Sequence, residues 1–260
     1  MNALVLDVHQ EKGRWDRKKE VSQQEIKPQQ EMYHYSLPSG IWQKEKEQKL
    51  VHQISKWTLR RSIAFAALGD GLRGNEKGKE ALRESGVNVC DGHALYPPLY
   101  PKAVRKLAKE AGINLMEQPV TICGSEAEIV EFIWRMKEEI RYFAVAGSQL
   151  YADLITYLYD EYGISVRLVE EAHSGICVAA GGQRERLSGE LVLDFDGVNG
   201  KGIRAEVDFG EWSQKIRGMA DGRNLGAAEA LFRLLGEEPT EAVERYCRGI
   251  SLFREKAVQL

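Results

Sequence analysis

Two histidines just past predicted strand ends have a carboxylate two positions before them, and each could move protons. They are His93, which follows Asp91, and His173, which follows Glu171. An imidazole titrates near neutral pH, and a nearby carboxylate orients it and supports its charged form. Such a pair is suited to general acid or base catalysis on a bound substrate. We therefore take His93 and His173 as the candidate catalytic residues.

A glycine-rich turn is the strongest ligand-binding pattern of the sequence. An apolar run ends at Gly69, and Gly71 and Gly74 follow with the spacing G-x-G-x-x-G. A helix-length segment comes next, and then a short second apolar run that ends at Asp91. Glycines permit a tight turn and close approach of a phosphate, and a helix N-terminus attracts an anion. The same glycines also suit an ordinary strand–turn–helix connection without a ligand.

Residues 62–91 resemble the dinucleotide-binding fingerprint of the Rossmann-type NAD(P)-binding superfamily. The resemblance implies that Gly69, Gly71 and Gly74 hold a pyrophosphate and that Asp91 holds the ribose. It implies NAD rather than NADP, because a carboxylate would repel the additional 2′-phosphate. The activity implied is that of an NAD(P)-dependent oxidoreductase, or of a relative that only binds the cofactor.

Two later junctions, VTICGSEAE and FAVAGSQLY, place Gly-Ser between an apolar run and a helical segment. These pairs are Gly124-Ser125 and Gly147-Ser148. Serine is a favoured N-cap residue, which is a sufficient structural reason for its presence. Its hydroxyl and the free N–H groups of a helix start could also hold a phosphate or carboxylate. We add these four residues to the predicted cofactor-binding set.

Apolar runs and helical segments alternate from residue 62 onward, which predicts an α/β fold with a doubly wound, mainly parallel, Rossmann-like sheet. The predicted strands are 62–68, 87–90, 119–123, 141–146, 165–169 and 190–195, and the predicted helices between them are 75–85, 99–111, 125–139 and 148–162. Because parallel strands end at one edge of a sheet, the glycine, serine, Asp91 and histidine sites are expected to rim one crevice.

The predicted organisation has three parts. Residues 1–60 form an N-terminal extension with short strands, a mobile polar loop up to about residue 30, and an amphipathic helix. Residues 61–210 form the Rossmann-like domain, and residues 211–260 form a C-terminal helical segment whose final helix covers 240–257. The N- and C-terminal helices are the expected contacts for a second copy or a protein partner.

The segment LVLDFDGV resembles the first motif of haloacid dehalogenase-type phosphatases, which implies a nucleophile at Asp194, a general acid at Asp196 and a magnesium ion. Too few residues follow for that catalytic domain. The segment around Asn199-Gly200 is better explained as a β-hairpin, although Asp194, Asp196 and Asp208 could also group around a divalent cation. We predict no metal site.

Composition limits the function classes further. A net charge of −3 without a basic stripe argues against nucleic acid as a partner, and the sequence has no apolar run long enough for a membrane span. The 4 cysteines are scattered, as expected for thiols in a reducing cytoplasm. A small nucleotide is the expected ligand.

Two alternatives to the oxidoreductase stay open at the level of sequence. An S-adenosylmethionine (SAM)-dependent methyltransferase also places a glycine-rich turn after its first strand and an acid after its second. A non-catalytic regulatory or assembly protein with a degenerate nucleotide-binding fold would also explain why no nucleophile–base pair is present. The substrate and the reaction are not specified by these residues.

Overall fold

The computed structural model describes residues 1–9, 20–38, 47–69, 72, 76–147, 151–171, 175–180, 187, 191–195, 202–217 and 225–254. The chain divides into two compact units. The first unit comprises Met1–Leu95 and Phe209–Cys247, and the second comprises Tyr96–Asp208 and Arg248–Leu260. Both units are therefore discontinuous in sequence.

The first unit contains a five-stranded sheet in the order β2-β3-β1-β4-β5. Strands β1, β3, β4 and β5 are parallel, and β2 pairs antiparallel with β3. The strands are β1 (Asn2–His9), β2 (Glu20–Lys27), β3 (Gln30–Pro38), β4 (Ile63–Leu68) and β5 (Asn88–Cys90). The helices are α1 (Glu47–Arg60), α2 (Glu76–Glu84), α6 (Glu211–Arg217), α7 (Leu225–Leu235) and α8 (Pro239–Tyr246).

The sequence of β1 explains its central position in this sheet. Ala3, Leu4, Val5 and Leu6 are consecutive apolar residues and are all buried. A continuous apolar run is typical of a parallel strand that is covered on both faces. Polar residues dominate β2, which lies at the edge of the sheet, where polar side chains discourage pairing with other chains.

The second unit contains a seven-stranded sheet in the order β12-β11-β10-β9-β6-β7-β8. All neighbouring strands are parallel except β11 and β12. The strands are β6 (Val120–Cys123), β7 (Phe143–Ala146), β8 (Val166–Val169), β9 (Ile176–Ala179), β10 (Leu191–Asp194), β11 (Ile203–Asp208) and β12 (Gly249–Arg254). The helices are α3 (Tyr96–Ala111), α4 (Glu126–Met136) and α5 (Ala152–Tyr162).

The strand order of the second unit is that of a doubly wound sheet. The chain moves outward from β6 through β7 to β8, returns to the other side of β6 as β9, and continues through β10 to β11. This is the 3-2-1-4-5-6 order of the Rossmann fold, followed by one antiparallel edge strand. The prediction of an α/β fold with a doubly wound, mainly parallel sheet is confirmed.

The strands are divided between two sheets, whereas the sequence analysis expected one. Strand β4 pairs with β1 and β5, and β6 pairs with β7 and β9, so the glycine-rich turn belongs to the first unit. The compact units divide at residues 95/96, 208/209 and 247/248, whereas the predicted domain boundaries lie at residues 60 and 210.

The structure differs from the expectations at three places, and two of them, β2 and β12, are edge strands. Residues 20–27, predicted as a polar loop, form β2, and residues 249–254, predicted as part of a helix, form β12. Strand β11 was predicted to form a hairpin with β10, but the two strands are parallel. The antiparallel partner of β11 is β12. Edge strands are held through backbone hydrogen bonds on one side, so their side chains carry a weak pattern. The predicted hairpin turn at Asn199-Gly200 lies outside the described residues.

Candidate functional site

The direction of strand order reverses between β6 and β9, and ligands of open α/β sheets bind outside the carboxyl ends of strands at such a point. Cys123 at the end of β6 is the register partner of Ala179 at the end of β9. The amide of Ala180 donates to the Cys123 carbonyl at 2.6 Å. A Cβ at Gly124 would lie 2.7 Å from the Ala180 Cβ, so only glycine fits without a shift.

Ser125 and Glu128 cap the start of α4 reciprocally. The Ser125 hydroxyl accepts from the Glu128 amide at 3.4 Å, and Glu128 Oε2 accepts from the Ser125 amide at 2.9 Å. The Ser125 hydroxyl also lies 2.8 Å from Glu128 Oε2. This capping box satisfies helix N–H groups and stabilises the first turn. It provides the structural role that the sequence analysis considered for Ser125.

The start of α4 does not fit a dinucleotide pyrophosphate in this arrangement. The dinucleotide fingerprint requires glycine at three positions of such a turn, and here only the first is glycine: the three residues are Gly124, Glu126 and Ile129. The Glu128 carboxylate already accepts the Ser125 N–H, and Glu126 adds a second negative charge to the first turn. A phosphate at this helix start requires the Glu128 side chain to move away.

Tyr151 joins the loops that follow β6 and β7, and sequence reasoning did not identify it. Its hydroxyl donates to the Gly124 carbonyl at 2.8 Å. A Cβ at Gly147 would overlap the Tyr151 ring, so Gly147 is required for this packing. The amide of Gly147 donates to the Val169 carbonyl at 2.9 Å. The two Gly-Ser junctions are thus connected through one tyrosine, while Ser148 lies outside the described residues.

The first unit has its own reversal point, between β1 and β4. The chain passes from β1 to β3 on one side of the sheet and then to β4 on the other. Gly69 follows β4, and its amide donates to the Leu6 carbonyl at 2.7 Å. A Cβ at Gly69 would overlap the carboxylate of Asp7 and lie 2.8 Å from the Asp7 Cβ. Gly71 and Gly74 lie outside the described residues.

Asp91 and His93 form a compact turn after β5. Asp91 Oδ1 accepts from the His93 amide at 3.1 Å, and Asp91 Oδ2 lies 4.0 Å from His93 Nδ1. The His93 side chain is 45% exposed, so it is accessible to a substrate. This is the carboxylate–histidine pair that the sequence analysis considered. The second candidate, His173, lies outside the described residues.

A buried carboxylate fixes the backbone next to His93. Glu229 of α7 is 4% exposed and accepts from the Gly92 amide at 2.9 Å and from Arg233 Nε at 2.8 Å. Burial raises the pKa of the neighbouring Cys90 thiol to about 12, and the Glu229 charge adds to this rise. Sequence reasoning did not identify Glu229, because it lies in a largely apolar helix far along the chain.

The predicted site residues therefore fall into two groups. Gly69, Asp91 and His93 belong to the first unit, whereas Gly124, Ser125 and Gly147 belong to the second. Each group lies beyond strand ends of its own sheet. The single crevice expected from the sequence assumed one sheet, and the strand pairing places the two groups on different sheets.

The described residues also bear on metals and membranes. No group of three or more His, Cys, Asp or Glu side chains in the described part of the chain could hold a metal ion. Of the three aspartates that could group around a divalent cation, Asp194 and Asp208 lie in the described part of the chain, and Asp196 lies outside it. Among the described helices, none combines the length and the apolar composition that crossing a membrane requires.

Comparison with known proteins yields distant structural likenesses only. No protein-family model matches the sequence, and no curated protein matches it. One similar solved structure is the L-tryptophan dehydrogenase from Nostoc punctiforme, with 8% identity and a TM-score of 0.42 over 94% of this chain and 77% of that chain. Another is an Ael1 enzyme from Pseudomonas putida, with 12% identity and a TM-score of 0.32 over 95% of this chain and 98% of that chain. Scores this low carry no functional argument.

Proposed function

We propose that this chain is a Rossmann-like nucleotide-binding protein, with its ligand at the carboxyl ends of β6 and β9. The observation that carries the proposal is the strand order of the second unit, which reverses between these two strands. Ligands of doubly wound sheets bind outside such a reversal. The proposed ligand site includes Gly124, where a side chain would collide with Ala180.

NAD is the first cofactor to test, and an NAD(P)-dependent oxidoreductase is the activity it would support. A nicotinamide cofactor would supply hydride transfer. The second unit would supply the binding loops at Gly124 and Gly147, once the Glu128 side chain has moved away from the start of α4. A role for His93 of the first unit as a proton donor or acceptor is a separate proposal, which rests on its exposure and its pairing with Asp91. If it is catalytic, His93→Ala should lower turnover by about 100-fold with little change in cofactor affinity.

The self-capped start of α4 favours a second candidate, a non-catalytic regulatory or assembly protein with a degenerate nucleotide site. The Glu128 carboxylate occupies the position at which a helix start would receive a phosphate. A chain that binds no cofactor could retain such a capping box, because no phosphate would need that position. This candidate predicts no turnover with any substrate and no response to His93→Ala.

A thermal-shift screen against NAD, NADP, SAM and ATP separates these candidates at the level of ligand. A ligand at 100 times its dissociation constant should raise the free energy of unfolding by about 2.7 kcal/mol. Stabilisation by NAD supports the oxidoreductase, and stabilisation by SAM alone supports the methyltransferase alternative. No stabilisation by any of the four would contradict nucleotide binding and support the degenerate fold.

Substitution at Ser125 locates the ligand. Asp and Asn are both good N-cap residues, so Ser125→Asp and Ser125→Asn should preserve α4, but only Asp adds a charge at the proposed site. A phosphate-bearing ligand should bind Ser125→Asp at least about tenfold more weakly than Ser125→Asn. Equal affinities would exclude this site. In that case Gly71→Val, in the glycine-rich turn of the first unit, should abolish binding instead.

A further inference from the structure

A cavity of about 530 Å³ opens at the amino-terminal edge of the first sheet. Strands β1 and β4 are parallel neighbours, and both begin at this edge. The cavity therefore lies at the opposite end of these strands from Asp7 and Gly69, away from the reversal point of the first unit. We call it the Arg60/Arg61 cavity. Its lining residues are polar, aromatic or basic: Asn2, Tyr33, Trp57, Arg60, Arg61 and Ser62.

Arg60 and Arg61 bring two guanidinium groups to this cavity. Arg60 ends α1, Arg61 follows it directly, and both residues are exposed. Neither forms an ion pair with any residue in the described part of the chain. A guanidinium stays charged near neutral pH and carries five N–H donors in a planar fork, which matches the oxygens of a phosphate. Both side chains can therefore bind an anion from solvent.

Aromatic rings and backbone hydrogen bonds hold Arg61 in place. Arg61 Cζ lies 4.8 Å from the centre of the Tyr33 ring and 5.1 Å from the centre of the Trp57 ring. The Arg61 carbonyl accepts from Asn2 Nδ2 at 2.7 Å, and the Arg61 amide donates to the Thr58 carbonyl at 3.2 Å. Because this guanidinium is already ordered over two rings, binding an anion costs it little further side-chain entropy.

Glu31 is the carboxylate beside this cavity, and its neighbours already occupy it. Glu31 Oε1 accepts from Gln23 Nε2 at 3.0 Å, and Glu31 Oε2 accepts from the Tyr33 hydroxyl. Burial raises the pKa of Tyr33, the hydrogen bond to Glu31 raises it further, and Arg61 opposes both effects. Glu31 therefore offsets part of the charge of Arg61 without forming an ion pair with it.

The charges around the cavity remain positive in sum. Lys56 is exposed on α1 one turn before Arg60, so it lies on the same face of the helix. Glu25 of β2 is exposed and is the register partner of Glu31. Lys56, Arg60 and Arg61 thus stand against Glu25 and Glu31, and an anion is the ligand that this balance favours.

Ser62 lines the cavity in a strained backbone conformation. Its φ of 51° lies in the left-handed region, which residues other than glycine rarely adopt. The Ser62 amide donates to the Leu59 carbonyl at 3.3 Å, and the Ser62 carbonyl accepts from the Asn2 amide at 3.1 Å. Strained residues of this kind concentrate at active sites and ligand clamps. This observation is independent of the two arginines, and it also points to a ligand.

We propose that the Arg60/Arg61 cavity binds the phosphate group of a small phosphate monoester. The two guanidiniums hold the phosphate oxygens, and the organic part of the ligand lies against the aromatic wall that includes Trp57. A phosphate monoester carries close to two negative charges near neutral pH, so it matches two guanidiniums better than a carboxylate does. The cavity has the volume of a small-molecule site, which leaves room for an organic group. This site is independent of the nucleotide site proposed at β6 and β9.

Isothermal titration calorimetry of the full chain with three probes tests the ligand class. The probes are phenyl phosphate, inorganic phosphate and benzoate, at about pH 7.5, where the phosphate monoester is mainly a dianion. Phenyl phosphate should bind at least about tenfold more tightly than either of the other two. Equal binding of inorganic phosphate would assign the cavity to the free ion, and equal binding of benzoate would remove the phosphate from the recognition. Either result, or no binding of phenyl phosphate, would overturn the proposal.

Substitution of the arginines locates the binding site. Arg60→Gln and Arg61→Gln should each weaken phenyl phosphate binding by at least about tenfold. Arg61→Lys keeps the charge but loses the planar fork, so its affinity should lie between those of Arg61→Gln and the unmodified chain. Arg83→Gln is the matched control, because Arg83 is an exposed arginine of the same unit that lies outside the cavity.

Far-UV circular dichroism verifies that each variant remains folded, and Arg60→Gln is the variant least able to disturb the fold, since Arg60 is exposed. Full affinity in both Arg60→Gln and Arg61→Gln would place phenyl phosphate elsewhere and contradict the proposal. An equal loss of affinity in Arg83→Gln would show that only the net charge of the unit matters, which also contradicts it.

Discussion

The carboxylate of Asp7 lies against Gly69 so closely that a Cβ at position 69 would overlap Asp7 Oδ1 and Cγ. Asp7 lies in β1, and Gly69 directly follows the neighbouring parallel strand β4. The first glycine of the glycine-rich turn therefore has a packing role that requires no ligand. It provides space for a carboxylate at the reversal point of the first sheet.

We expect Gly69→Ala to destabilise the first unit by about 1–3 kcal/mol, because the added methyl group overlaps Asp7. Adding Asp7→Ala should recover part of this loss. Gly249→Ala is the matched control: no atom lies within 4 Å of its Cβ position. Chemical denaturation measures the unmodified chain, both single variants, the double variant and the control. If the free-energy changes of Gly69→Ala and Asp7→Ala simply add in the double variant, the collision with Asp7 is not the cause of the lost stability.

Glu128→Gln tests whether the capping box competes with a phosphate. The amide retains an oxygen acceptor for the Ser125 N–H but removes the negative charge from the start of α4. If a dinucleotide pyrophosphate binds there, its affinity should rise by about threefold or more, as measured by isothermal titration calorimetry. A lower or unchanged affinity would indicate that no phosphate approaches this helix.

Glu229→Ala should cost about 1–3 kcal/mol, because it leaves the buried amide of Gly92 without its acceptor. The ion pair with Arg233 contributes less, since the Arg233 side chain is 36% exposed. Glu229→Gln keeps one acceptor oxygen and should cost less than Glu229→Ala. Equal losses in thermal unfolding would mean that the Gly92 hydrogen bond is not the stabilising contact.

Burial makes stability fall at alkaline pH. It raises the pKa of Cys90 to about 12 and that of Cys177 to about 11, and the nearby Cys123 adds to the latter. Unfolded cysteine titrates near pH 8.5, so the unfolded state loses protons first. The contribution of the two buried thiols to the free energy of unfolding is complete below about pH 8.5. Above that pH it decreases by up to about 1.4 kcal/mol per pH unit for each thiol.

Urea unfolding between pH 8 and pH 10 measures this decrease. Cys90→Ala should be less stable overall, because it leaves a cavity, but it should show a smaller slope with pH. An unchanged slope would show that the Cys90 thiol does not account for the alkaline loss. Cys247, which is partly exposed, serves as the comparison, and Cys247→Ser should retain the full slope.

Six strands, β4 to β8 and β10, could be predicted from the sequence to within about two residues, because each is an apolar run bounded by turn residues. The predicted 119–123 and 165–169 became β6 and β8. Strands β2 and β12 could not be predicted, since their side chains are polar or mixed, and β9 could not, since its apolar run was too short to classify. The assignment of strands to two sheets also depends on long-range pairing, which no local pattern records.

The candidate site was predictable only in part, for a similar reason. Glycines and serines at strand ends are visible as local motifs, and so is the Asp91–His93 pair. Asp7, Tyr151 and Glu229 act on residues that are distant in sequence, such as Gly69, Gly124 and Gly92. Their roles become visible only when the strands and helices are packed.

The discontinuity of both units sets an order for folding during synthesis. The sheet of the first unit is complete by residue 90, yet α7, which packs on β4 and β1, is translated only after most of the second unit. The sheet of the second unit waits in turn for β12, the antiparallel partner of β11. A ribosome that pauses between residues 95 and 209 would hold a first unit without its covering helix, which is the stage most exposed to aggregation.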